Sequence, residues 1–410
     1  MNKNKFFKIA RDVFTILNII MYFAKGFLSI PLFAFLIVGN ILFLYLGNKE
    51  QFQSLFFSNK LLILVLFSVS IFIKAMYFLF HYGDMTIYSL VDQFRIGFAV
   101  LITLYYFDLK DAHYFKYLIY LSIFILLVLS VYTLYALGKY PTLLRLLATG
   151  NSFPENVQNI NAKLLLNYDT IYGLVFICLY WIYTIRKSKD LFITIPLILL
   201  FSYTIYKAAF SIAILIYAFG IFCMLLYKKK YKLFLSFIVL FFIIRVPIAK
   251  LFYNVAKSIN PWIGVRLIQI ADLLSGKIDV NSELLERLTR IKISFQAFCR
   301  SPIIGMGGYY TTQNMTMRYI GGHSTLLDSF ARYGLVFSSF YFSFFLFFFN
   351  YMKKEKVSPL ITLSIPLFVL SIFNTMNFPC LLVFPLCIIP LLHRFCYNFF
   401  DRKQGDFLHE

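Results

Sequence analysis

The chain is dominated by apolar runs of about 17 to 25 residues that show no strand-like alternation. At about 1.5 Å per helical residue, each run reaches across a hydrocarbon core of about 30 Å. The runs are Phe6–Ala24, Phe27–Leu46, Leu61–Phe80, Leu90–Phe107, Phe115–Leu137, Thr170–Ile185, Leu191–Tyr206, Ala208–Tyr227, Leu233–Ile248, Leu327–Tyr351, Leu360–Met376 and Phe378–Phe395. The expected fold is therefore all-α: a polytopic membrane protein of about 12 transmembrane helices. Composition agrees, because 60% of the residues are hydrophobic and only 14% charged. A soluble domain carries roughly a quarter charged residues, so this chain lacks the polar surface to cover itself.

A formal net charge of +21 raises nucleic-acid binding in a soluble protein. Here the bases sit in short clusters between apolar runs: Arg186-Lys187-Ser188-Lys189, Lys228-Lys229-Lys230, Lys353-Lys354-Glu355-Lys356 and Arg402-Lys403. Clusters in such places set membrane orientation, so they report topology and not a nucleic-acid partner. With the basic N-terminus inside, alternation puts every cluster inside and both termini in the cytoplasm. Lys3, Lys5, Lys8 and Arg11 before an apolar stretch resemble a signal peptide, but the stretch lacks a small-residue cleavage site and reads as a retained first helix. Lys8, Arg11 and Asp12 leave an interfacial amphipathic helix as the alternative for this first span.

The same alternation puts residues 138–169 and 250–322 outside. The chain thus divides into residues 1–249 with helices one to nine, a large extracytoplasmic loop at 250–322, and residues 323–410 with helices ten to twelve and a tail. A loop as long as the second one is expected to carry its own structure and function. It is basic, which suits anionic lipid headgroups or a phosphate-bearing ligand. Arg266 lies in it without a pattern that assigns a role.

Glu283–Arg300 reads as an amphipathic helix, with Leu284, Leu288, Ile291, Phe295 and Phe298 at the helical period. Pro302, Gly305, Gly307 and Gly308 then stop it in a turn. That turn is not a dinucleotide loop, since no strand precedes it. Glu283 with Arg287, and Glu286 with Arg290, stand four apart and form helical ion pairs that leave the arginines donors for a phosphate.

His323 is the histidine placed like a catalyst, in Gly321-Gly322-His323-Ser324 where the loop meets a transmembrane helix. The glycines permit close approach of backbone or substrate, and Ser324 caps the free helix amides. The positive end of that helix disfavours imidazolium, which keeps the ring neutral and able to accept a proton. Asp328 and Arg332, one turn apart, are expected to pair with each other. Lys207 stands alone at a tight turn between two runs, and its bland role is to snorkel to the headgroups. Lys74, Asp92 and Arg95 are further charges within runs, without a spacing that names their partners. The chain has no Asp-x-Asp pair, Walker loop, HExxH helix or GxSxG turn. Its six cysteines form no metal pair or disulfide framework, so no metal or cofactor is called for.

Three features resemble the superfamily of O-antigen ligases and Wzy-type polysaccharide polymerases. Arg287-Leu-Thr-Arg-Ile-Lys-Ile-Ser-Phe-Gln-Ala-Phe runs into Ser301-Pro302-Ile-Ile-Gly305-Met-Gly307, similar to the family's arginine, apolar helix and Pro-x-x-Gly-x-Gly. His323-Ser-Thr-Leu-Leu-Asp328, then Ala331-Arg-Tyr-Gly334-Leu, is similar to the family's His-Asn/Ser, leucine and glycine pattern. Both stand around a long external loop before the tenth of twelve spans. Lys207 departs from the arginine common in the family, keeping the charge but losing the planar fork.

The resemblance implies a bacterial cytoplasmic-membrane glycosyltransferase that uses a polyprenyl-diphosphate-linked oligosaccharide, with its site on the extracytoplasmic side. It implies that Arg287, Arg290 and Lys207 hold the diphosphate and that His323 activates the acceptor hydroxyl. Asp328, Arg332, Gly305, Gly307 and Gly322 would support that site. Membrane lipid, a flippase and a chain-length regulator are the implied partners. The motif forms look more like a capsule or exopolysaccharide polymerase, with a ligase as the alternative. The alternative from another class is a lipid-linked oligosaccharide flippase, which would show internal repeats and midplane charges.

Overall fold

The computed structural model describes residues 3–23, 30–58, 60–81, 87–109, 115–148, 160–185, 191–227, 231–258, 283–306, 320–322, 324–355, 357–374 and 379–397, with a few positions between 264 and 276. Among these residues every element is helical and none is a strand. The helices are α1 (Lys3–Phe23), α2 (Ile30–Gly47), α3 (Lys49–Ser54), α4 (Lys60–His81), α5 (Ile87–Phe107), α6 (Phe115–Lys139) and α7 (Leu143–Ala148). After them come α8 (Tyr168–Thr184), α9 (Leu191–Ala208), α10 (Ser211–Tyr227), α11 (Tyr231–Ser258), α12 (Glu283–Arg300), α13 (Thr325–Lys354) and α14 (Ser358–Phe373). The chain closes on a helical segment over residues 379–397 that alternates α and π turns.

Among the described residues each apolar run read from the sequence carries a helix, the structure that satisfies the backbone of an apolar segment internally. By length and apolarity, four stretches qualify as membrane-crossing among the described residues: Phe115–Lys139, Ala162–Thr184, Leu191–Ala208 and Thr325–Lys354. The protein is thus a helical membrane protein.

The chain forms two compact units. The first comprises residues 1–208, 337–363 and 377–410, and the second residues 209–336 and 364–376. In the first unit α1 packs along α2. Arg11 and Asp12 are buried and joined by a 2.7 Å ion pair, and Tyr106 donates to the Asp12 carboxylate at 2.7 Å. Thr15 of α1 donates to Asn40 of α2 at 3.0 Å. Polar groups on one side of α1 therefore meet polar groups of α2 and α5, so this helix is part of the bundle core. Two further in-run cations are also buried: Lys74 stands 3.8 Å from the centre of the Tyr341 ring, and Arg95 donates to the Met21 carbonyl at 3.1 Å. Position 266 and the side chain of Asp92 lie outside the described residues.

The last segment shows why its helix changes pitch. Pro390 has no amide for the Leu386 carbonyl four residues before it, and that carbonyl accepts instead from the Thr103 hydroxyl of α5 at 2.6 Å. The π turn Phe384–Ile388 lies just there, as expected where a side chain enters the helical ladder. Phe384 fills the space above Gly173 of α8, where a Cβ would stand 2.2 Å from the ring.

Candidate functional site

The two sequence pieces around the long loop meet within the second unit. Helix α12 has the bounds expected from its period, but it does not bury the face that period suggested. Among its described side chains the buried ones are the small Ser294 and Ala297, while Leu288 is 46% and Phe295 53% exposed. Small side chains let the helix come close to its neighbours, Leu288 and Phe295 are turned outward, and half-buried Phe298 lies 5.8 Å from the Phe330 ring of α13. On the solvent side of the same helix Glu286 and Arg290 form the expected i,i+4 pair, at 2.6 Å.

Pro302 ends the helical pattern, and Gly305, at φ +75°, closes a turn in which its amide reaches the Ser301 carbonyl at 2.9 Å. This turn docks on α13 where α13 is broken. Gly334 has φ 68° and ψ −177°, a conformation outside the helix and open essentially to glycine alone. Beyond the break, Leu335 and Val336 donate to the carbonyls of Pro302 (2.7 Å) and Ile303 (3.3 Å). The Ala331 carbonyl, which Leu335 would take in an unbroken helix, receives the Met306 amide at 2.8 Å. The backbones come so close that a Cβ on Gly334 would lie 2.2 Å from the Ile303 carbonyl oxygen, and one on Gly305 2.3 Å from that of Arg332.

A second knot fixes the chain on both sides of position 323. Buried Asp328 accepts from the Ser294 hydroxyl, from the Gly322 amide at 3.3 Å and from the Ser324 amide at 3.0 Å. Ser294 in turn accepts from the Gly321 amide at 2.8 Å. Gly321 lies so close to α12 that a Cβ would stand 2.1 Å from the Arg290 carbonyl oxygen. Ser324 caps α13 as its sequence position suggested, accepting from the Leu327 amide at 3.1 Å. It also donates to the Ser371 carbonyl at 3.3 Å, and the Asn374 carbonyl receives the Thr325 amide at 3.1 Å. Asp328 thus does structural work at the loop end, whereas the sequence suggested a pairing with Arg332. The guanidinium of Arg332 is buried, 5.8 Å from the centre of the Tyr333 ring.

One backbone stitch and one knot of side-chain hydrogen bonds therefore bring Arg290, Gly305, Gly322, Asp328 and Arg332 onto one framework. His323, Gly307 and the side chain of Arg287 lie outside the described residues. Lys207 is exposed in the last turn of α9, with its ammonium 5.6 Å from the centre of the Tyr203 ring, and belongs to the first unit. Ser294 was not singled out by sequence reasoning. The available signal was a small polar residue four positions from Arg290 and from Phe298, which shares their side of the helix. Among the described residues no group of three or more acidic, histidine or cysteine side chains is placed to hold a metal ion.

An Asp328→Ala variant should lose a few kcal/mol of stability, because each buried donor left without its acceptor costs about 1–3 kcal/mol. Thermal unfolding in detergent tests this, with Asp328→Asn, which keeps one acceptor oxygen, expected to lie between parent and alanine variant. Equal melting of all three proteins would mean that the carboxylate does not anchor the loop. No family model matches the chain, and no curated protein matches it.

Proposed function

We propose that the protein is an integral-membrane glycosyltransferase of about twelve spans in a bacterial cytoplasmic membrane. It joins polyprenyl-diphosphate-linked oligosaccharide repeats into surface polysaccharide at the extracytoplasmic face. In the proposed step an acceptor sugar hydroxyl attacks the anomeric carbon of the donor. A new C–O glycosidic bond forms, the bond from that carbon to the diphosphate oxygen breaks, and polyprenyl diphosphate leaves. His323 takes the hydroxyl proton, and Arg287 and Arg290 hold the diphosphate as charge collects on it. The donor carries its own leaving group and its own lipid tail, which suits a chain without nucleotide-binding or carboxylate-metal motifs.

One observation supports this reading most. Parts of the two motifs that carry the family resemblance, Ser301–Met306 of the first and Asp328 with Ala331–Leu335 of the second, share one framework, in which backbone hydrogen bonds join the turn to α13 and the Asp328 carboxylate takes the Gly322 and Ser324 amides. Gly305, Gly321 and Gly334 in it stand at contacts too close for any Cβ.

The test is purified protein in vesicles supplied only with polyprenyl-diphosphate-linked repeats. Longer lipid-linked glycans and free polyprenyl diphosphate are expected without any sugar nucleotide. Transfer to a different lipid or protein acceptor, without elongation, would assign a ligase. Movement of the unextended repeat across the bilayer would assign a flippase.

A further inference from the structure

Ser294 of α12 is fully buried, at 0% exposure, and its hydroxyl joins three segments of the second unit. It accepts from the Gly321 amide at 2.8 Å and donates to the Asp328 carboxylate of α13. The same carboxylate takes the Gly322 and Ser324 amides. The amides of Gly321, Gly322 and Ser324 bracket position 323, and each is held by Ser294 or by the group to which Ser294 donates. One turn earlier on α12 stands Arg290, whose carbonyl oxygen would lie 2.1 Å from a Cβ on Gly321. The chain before position 323 therefore rests on the Arg290–Ser294 turn of α12, and the Ser294 hydroxyl is the polar contact that sets where along the helix it rests.

The helix itself does not call for this hydroxyl. Serine is a poorer helix former than alanine, and alanine would preserve the close approach of α12 to Gly321. What alanine would remove is an acceptor for the Gly321 amide and a donor to Asp328. The hydroxyl thus serves the placement of the chain end that carries His323.

The proposed reaction needs a base on the acceptor hydroxyl and cations on the leaving diphosphate, at a set separation. His323 and Arg290, which take these roles, stand on different segments of the second unit. A misplacement of about 1 Å between such groups costs on the order of 100-fold in rate. We infer that Ser294 is a positioning residue, which sets the register of the His323 segment against the arginine-bearing helix α12. It acts through Gly321 and Asp328. The inference rests on the proposed function, because the role it assigns belongs to that reaction.

Purified full-length Ser294→Ala protein in vesicles, supplied with polyprenyl-diphosphate-linked repeats, tests it. Its kcat for elongation should fall about 10- to 100-fold, with KM for the lipid-linked repeat within about twofold of the parent, because the arginines are untouched. Added to His323→Ala, the same change should slow the residual transfer no further, since the group it positions is gone. Ser294→Cys, which fills the same space with a weaker hydrogen-bonding group, takes its place should the alanine variant not fold. A parental kcat, a loss confined to KM, or an equal fold-loss with and without His323 would each overturn the inference. Should His323→Ala itself elongate at the parental rate, the base assignment falls and the inference falls with it. A slow His323→Ala beside a parental Ser294→Ala removes only the role of Ser294.

Discussion

A His323→Ala variant is expected to lose about 10²- to 10⁴-fold of its elongation rate, the usual worth of a positioned general base, while remaining folded and inserted. The peptide groups on either side of position 323 are held through the Gly322 and Ser324 amides by the Asp328 carboxylate. That anchoring uses main-chain atoms and the aspartate, so it survives removal of the imidazole. A loss of that size would reduce the product to single repeats or very short chains. The measurement is the length and sidedness of lipid-linked glycan in a strain carrying the variant at parental protein level. Repeats held on the outer face support a base for polymerisation, and repeats accumulating on the inner face would indicate transport. Long chains at normal abundance would remove His323 from the mechanism.

Gly334→Ala should cost about 3 kcal/mol or more, from backbone strain of about 1–3 kcal/mol and about 1 kcal/mol for each backbone hydrogen bond lost. The new methyl group would lie 2.2 Å from a carbonyl oxygen of the docked turn. Since that neighbour is backbone, relief requires the turn to leave α13, which breaks the bonds from Leu335, Val336 and Met306 together. Thermal unfolding in detergent reads the loss, and increased proteolysis between residues 301 and 306 reads the detachment. Gly138→Ala is the control, because a Cβ there meets nothing within 4 Å. If the Gly334 and Gly138 variants melt together, the stitch contributes little.

Much of the helical layout is legible in the amino-acid order because a helix in apolar surroundings completes its hydrogen bonds within its own segment. The bounds of α12, the stop at Pro302 and the cap at Ser324 are local chemistry of this kind. So is the Glu286–Arg290 pair, whose members are neighbours on any helix.

Choice of partner is not local. The period of Leu288 and Phe295 showed an apolar face but could not say whether protein or lipid would cover it, since both accept the same side chains. Arg11 and Asp12 near the start of the chain read equally well as surface charges, and the Tyr106 hydroxyl that meets Asp12 in the core comes from another helix. Asp328 had an obvious neighbour in Arg332, but Ser294 and the loop amides occupy its oxygens. A carboxylate accepts several hydrogen bonds, and which donors arrive depends on segments distant in sequence. The sequence by itself determined where this chain is helical and which residues are rare enough in apolar surroundings to matter. Only the tertiary structure decided that α13 breaks at Gly334 and that the turn after α12 closes on that break. A glycine in a helix is compatible with an unbroken ladder, and it becomes a bend only when another backbone offers the hydrogen bonds that the ladder gives up.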